Sequence, residues 1–110
     1  MGNADGIPDI ALARLYSEIA AGGAGTIVTG FVHISQEGRA MHPRQCGINT
    51  PEKQAAWRDI VQHVKQRHTE TRLFMQLAHT GRQTRKRITR NKVYGVSQRA
   101  CSYVAQWNTP

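Results

Sequence analysis

The feature that most constrains the fold is an alternation that runs twice along the chain. Pro8 suits a first helical position, where a missing N–H costs nothing. Leu12, Leu15, Tyr16 and Ile19 follow at the spacing of one helical face. Gly22, Gly23 and Gly25 close that pattern, because glycine accepts the left-handed turn at a helix end. Residues 26–34 (Thr-Ile-Val-Thr-Gly-Phe-Val-His-Ile) are rich in β-branched types, as in a buried strand. After a loop, Thr50 is a good N-cap, with Pro51 and Glu52 in the first turn. Trp57, Ile60, Val61 and Val64 repeat the helical face. Lys65 and Arg67 fall in the last turn, where positive charge is favoured. Arg72–Ala78 then reads as a second buried strand. Helix, strand, helix, strand predicts an α/β fold whose two strands lie parallel, joined by a right-handed crossover.

In such folds ligands gather at the C-terminal ends of the strands. That rule places Gly30, His33, Gln76, His79 and Arg82 on one rim. Gln76 interrupts an apolar strand. Its amide suits a flat heterocycle with alternating C=O and N–H groups, or it bonds to neighbouring backbone. His79 and Arg82 suit an anion or a polarised carbonyl, or they bond to carbonyls of their own loop. Gly30 marks either close approach of a ligand or a bulge. His63 and His68 do not share a helix face. His33 and His42 have no Cys, Asp or Glu at ligand spacing, so no metal site is expected. The chain has no G-x-G-x-x-G, P-loop or G-x-S-x-G motif. Gly22-Gly23-Ala24-Gly25 precedes a strand and is read as a helix-to-strand turn.

Charge divides the chain. The formal net charge is +8 over 110 residues. Residues 81–110 hold seven Lys and Arg and no Asp or Glu. A run from Arg82 to Lys92 suits phosphate contact or a solvated basic loop. It lacks the interleaved aromatic side chains of a single-strand binder, so nucleic acid is disfavoured. Residues 1–80 are expected to form the helix-strand-helix-strand segment. Residues 81–110 are expected to be a basic loop and irregular tail of the same domain, with short extended pieces at 93–96 and 101–104. Leu, Ile, Val and Phe number only 21, which doubts a large self-sufficient core. No apolar run approaches a membrane span, and residues 1–9 lack a secretory h-region. Cys46 and Cys101 make neither a disulfide framework nor a zinc site, so a cytoplasmic chain with reduced thiols is expected.

Three stretches, taken in order, resemble the old yellow enzyme family of flavin oxidoreductases. The first is residues 16–35, with Gly-Gly-Ala-Gly-Thr-Ile-Val-Thr-Gly at its centre. The second holds Glu37-Gly38-Arg39, Gly47-Ile48 and Trp57-Arg58. The third, and most specific, is Phe-Met-Gln-Leu-Ala-His-Thr-Gly-Arg-Gln at residues 74–83. The resemblance covers roughly residues 5–104 and implies a (β/α)₈ barrel that binds FMN. NADH or NADPH would supply hydride, and activated alkenes such as enones would be the substrates. It further implies that Gln76 bonds to the flavin pyrimidine and that the Gly30–Phe31 backbone meets the isoalloxazine edge. His79 and Arg82 would support the rim; no catalytic residue and no metal ligand carries over.

A whole barrel of this kind needs about 250 residues. The chain supplies about two βα units, an incomplete TIM-barrel segment. The family's first strand and its later strands, with the substrate anchors and phosphate loops, are not matched. The expectation is therefore a partial chain without activity of its own, with unpaired sheet edges. It would self-associate or pair with a complementing barrel segment. A non-catalytic flavin-binding half-barrel and a small basic nucleic-acid-binding protein are the alternatives.

Overall fold

A computed structural model describes residues 2–40, 42–90, 92–99 and 101–102. Its elements run α1 (Ala11–Ala21), β1 (Thr26–His33), α2 (Pro51–Arg67), β2 (Arg72–Ala78) and α3 (Lys86–Thr89). The two strands are parallel neighbours in one sheet. The α/β class and the parallel strands thus follow the sequence pattern.

The start of α1 differs from expectation. Pro8 lies in an isolated antiparallel bridge with Gly2, outside the helix. Instead the Asp9 carboxylate accepts the Ala11 N–H at 2.8 Å, so the helix begins three residues later. The start of α2 is as expected. Thr50 is extended, and its hydroxyl oxygen accepts the Lys53 N–H at 3.3 Å. Pro51 occupies the first turn, where it displaces no helical hydrogen bond. At the far end, Lys65 Nζ donates to the carbonyls of Thr69 and Thr71, tying the helix to the turn before β2.

The buried face of α1 is also rotated from the predicted one. Leu12, Ala13, Tyr16 and Ala20 are buried, whereas Leu15 and Ile19 are exposed. The two-helix layer covers only the flank of α1 that meets α2 and β1. In α2, Trp57, Ile60 and Val64 are buried, whereas Val61, on the predicted face, is exposed. These side chains meet Ile27 and Val32 of β1 in a single core, with Leu73 and Met75 of β2 packed against it.

The opposite face of the sheet is open. Val28, Phe31 and Phe74 are 57%, 63% and 54% exposed. The expectation of fully buried strands is therefore corrected: helices cover one face only, and apolar side chains stand on the other. The paired register slips between Val28 and Phe31. Val28 lies opposite Phe74 and Phe31 opposite Gln76, so Thr29 and Gly30 together face Met75. Of the two readings of Gly30, the structure contains the bulge. Thr29 repairs the ladder there: its hydroxyl accepts the Gln76 N–H at 3.0 Å and donates to the Gly30 carbonyl.

Beyond β2 the basic stretch contains the short helix α3, which the sequence pattern did not predict. Arg90 ends it in the left-handed region, at φ 56°. Residues 92–99 form no strand. The second extended piece, at 101–104, lies partly outside the described residues.

Candidate functional site

Both strands end at the same rim, and the loops that leave them are stitched together there. The Thr80 N–H donates to the Gly38 carbonyl at 2.9 Å. The Thr84 hydroxyl donates to the Arg39 carbonyl at 2.6 Å, and Gln36 Nε2 to the Ile88 carbonyl at 3.0 Å. The His79 ring packs against Gly38. A Cβ added to Gly38 would stand 2.6 Å from His79 Cδ2. The glycine of Glu37-Gly38-Arg39 is therefore explained by the histidine of the third motif. His79 Nδ1 also accepts the Gly81 N–H at 3.0 Å, and Gly81 adopts a φ of 58° that glycine tolerates.

Gln76 is exposed on the open sheet face. The reading of a buried amide in need of protein partners is corrected by this placement. Its backbone N–H is satisfied by Thr29, and its side chain stands beside Phe31 across the bulge. A Cβ built on Gly30 would meet nothing within 4 Å, so the backbone is open to close approach. The Phe31 carbonyl accepts from Gln45 Nε2 at 3.3 Å, which holds the loop against the edge of β1 away from β2. Arg82 is exposed at the start of the basic stretch. Gly30, Phe31, Gln76, His79 and Arg82 thus all lie at or near the C-terminal ends of the two strands.

His33 has a different place from the other rim residues. It is fully buried, beneath Gly47, whose missing side chain leaves room for the imidazole ring. Lys53 Nζ lies 3.5 Å from His33 Nε2 and donates to Asn49 Oδ1 at 2.9 Å. Burial, then the charges of Lys53 and Arg39, push the His33 pKa down to about 4. Gln45 and Asn49 lie close enough to oppose part of this shift. Nδ1 nevertheless remains buried without a hydrogen-bond partner among the described residues. The neutral ring is thus part of the rim's foundation.

Two buried cations in this foundation escaped the sequence reading. Lys53 and Arg39 are 5% and 3% exposed. A signal for Lys53 was present. It precedes Trp57 by four residues and so shares the face of Trp57, Ile60 and Val64. Burial lowers the pKa of both groups. Among the described residues no group of three or more His, Cys, Asp or Glu is arranged to hold a metal ion. No described helix is long and apolar enough to cross a membrane.

Parallel strands with helices on one face and polar groups gathered at their C-terminal ends define a segment of a (β/α) barrel. The model of the NADH:flavin oxidoreductase / NADH oxidase family matches residues 2–107. The chain belongs to that family. It is similar to the solved structure of an old yellow enzyme homologue from Zymomonas mobilis, with a TM-score of 0.74 and 29% sequence identity. The match covers 84% of this chain but only 24% of that one, so the chain spans about a quarter of that structure's length. No curated protein matches the chain.

Proposed function

We propose that this chain is the part of an FMN-dependent NAD(P)H oxidoreductase that receives one edge of the flavin, in a cytoplasmic enzyme reducing activated alkenes such as enones. The observation that carries the reading is the Gln76 amide, exposed beside a glycine bulge whose backbone is uncrowded. Those features fit a flat heterocycle. Gln76 supplies a donor and an acceptor for the alternating groups of the pyrimidine ring. The Gly30–Phe31 backbone would meet the isoalloxazine edge, and His79 and Arg82 would support the rim. When bound, FMN would supply the hydride chemistry between NADH or NADPH and the alkene. The residues of this chain bind and orient it; none is assigned to proton transfer.

By itself the chain is colourless and does not oxidise NADPH, because it holds only part of a cofactor site. A yellow preparation that turns over NADPH would overturn the partial-site reading. The contact itself is tested by titrating FMN while following side-chain amide signals by NMR. The Gln76 signal moves and the movement is lost in Gln76→Leu. Shifts elsewhere with Gln76 unmoved would remove it from the site.

The open apolar face favours a second reading, in which the chain self-associates or pairs with a complementing barrel segment. Val28, Phe31 and Phe74 are the residues that carry it. Light scattering checks it: a monomer at high protein concentration would rule out self-association.

A further inference from the structure

A hollow of about 250 Å³ lies between the loop after β1 and the end of α3. Arg39, Arg87 and Arg90 line it, together with Ala4, Pro43 and Ile88. We propose that this hollow is an anion site that takes a phosphate monoester group or free phosphate. It involves none of the residues assigned to the flavin and stands independently of that reading.

Arg39 is the anchor. Its backbone is fixed by the Thr84 hydroxyl, and its Nη2 donates to the carbonyls of Ala4 (2.7 Å) and Pro43. With the residue 3% exposed, these bonds leave little freedom to turn. Nε remains buried with no hydrogen-bond partner among the described residues. A buried guanidinium whose printed partners are two neutral carbonyls keeps its charge uncompensated, and an oxyanion in the hollow that Arg39 lines would offset that charge.

The charge balance points the same way. Arg90 lies 3.7 Å from Asp5, with both side chains largely exposed. Asp5 is the acid nearest this cluster, and it sets one carboxylate against three guanidinium groups. Arg90 also raises the electrostatic cost of the Arg39 charge, on top of its burial. A dianion offsets the two remaining positive charges, whereas a carboxylate offsets one. Guanidinium forks match the oxygens of a phosphate, and three of them suit a tetrahedral group better than a planar one.

The test uses the 110-residue chain and inorganic phosphate, with chloride at equal ionic strength as control. Phosphate shifts the Arg39 Nε–Hε NMR signal saturably and raises Tm; chloride does neither. Arg87 and Arg90 are exposed, so R87Q/R90Q tests the site without disturbing buried Arg39. Phosphate affinity falls at least about tenfold in that variant. Equal responses to phosphate and chloride, or unchanged affinity in R87Q/R90Q, overturn the proposal. Comparing NADPH with NADH then separates the sources. Tighter binding of NADPH, lost in R87Q/R90Q, assigns the site to a phosphate carried on the reductant. Equal binding of the two, with phosphate binding intact, assigns it to free phosphate or a phosphorylated substrate.

Discussion

The two faces of the β1–β2 sheet are built from similar residues and have opposite fates. On one, Ile27 and Val32 are sealed beneath Trp57, Ile60 and Val64. On the other, Val28 and Phe74 stand more than half exposed, with Gln76 in the same row. Apolar content therefore does not tell which face holds the chain together. What separates them is cover: the helix layer makes one face a core, while the other remains a surface on which a ligand or further protein can lie.

Truncation is the strongest way to break this comparison. Trp57→Ala removes a ring that is 4% exposed and whose Nε1 donates to the Gly47 carbonyl at 3.0 Å. It should cost about 3–5 kcal/mol, enough to unfold a small domain. Phe74→Ala on the open face should cost no more than about 0.5 kcal/mol. Urea unfolding followed by circular dichroism measures both. Similar losses would mean that the open face is covered in solution.

Glycine substitutions give the next largest contrast. Gly47→Ala drives a methyl group into the buried His33 ring and should cost about 1–3 kcal/mol. Gly30→Ala meets no neighbour and should change stability by less than about 1 kcal/mol. The same denaturation experiment ranks them, and a Gly30 effect as large as that of Gly47 would contradict the uncrowded bulge.

The pH dependence should be gentler. His33 ordinarily titrates near 6.5, and its folded value is about 4. Between those values the unfolded chain binds the proton and the folded chain does not. The contribution to stability is therefore full above pH 6.5, declines as pH falls toward 4, and is gone below. Comparing the pH profile of Tm in the native chain and in His33→Gln isolates this effect. Parallel profiles would mean that the ring titrates alike in the folded and unfolded chain.

The smallest effect belongs to the outer flank of α1. Arg14 and Glu18 form an exposed pair at 3.5 Å, four residues apart. Arg14→Ala should change stability by less than about 0.5 kcal/mol. A larger loss in urea would indicate that this flank is covered in solution.

Much of the fold was legible because local chemistry and tertiary packing agree. Thr50 and Pro51 mark the start of α2 by hydrogen-bonding capacity alone, and the β-branched run marks β1. Legibility failed where cover decides. An apolar stripe on α1 includes Leu15 and Ile19, but periodicity cannot say which flank meets a neighbour. The same limit made Gln76 read as buried. At the rim, the glycines and histidines were visible as unusual residues, yet their pairing of His79 with Gly38 and His33 with Gly47 depends on loops folding back. Arg39, quoted within a motif, gave no sign of burial, because its partners are backbone carbonyls distant in sequence.

The two-for-one step at Thr29 and Gly30 has a consequence of parity. A strand turns successive side chains to alternate sides, so one extra residue reverses the alternation for everything after it. In this chain that means Phe31, Val32 and His33. Straighten the strand with Gly30 kept and paired to Gln76, and Val32 would face away from the helices while His33 would leave its place beneath Gly47. One surplus residue sets the handover between a strand that builds the core and a strand end that builds the rim.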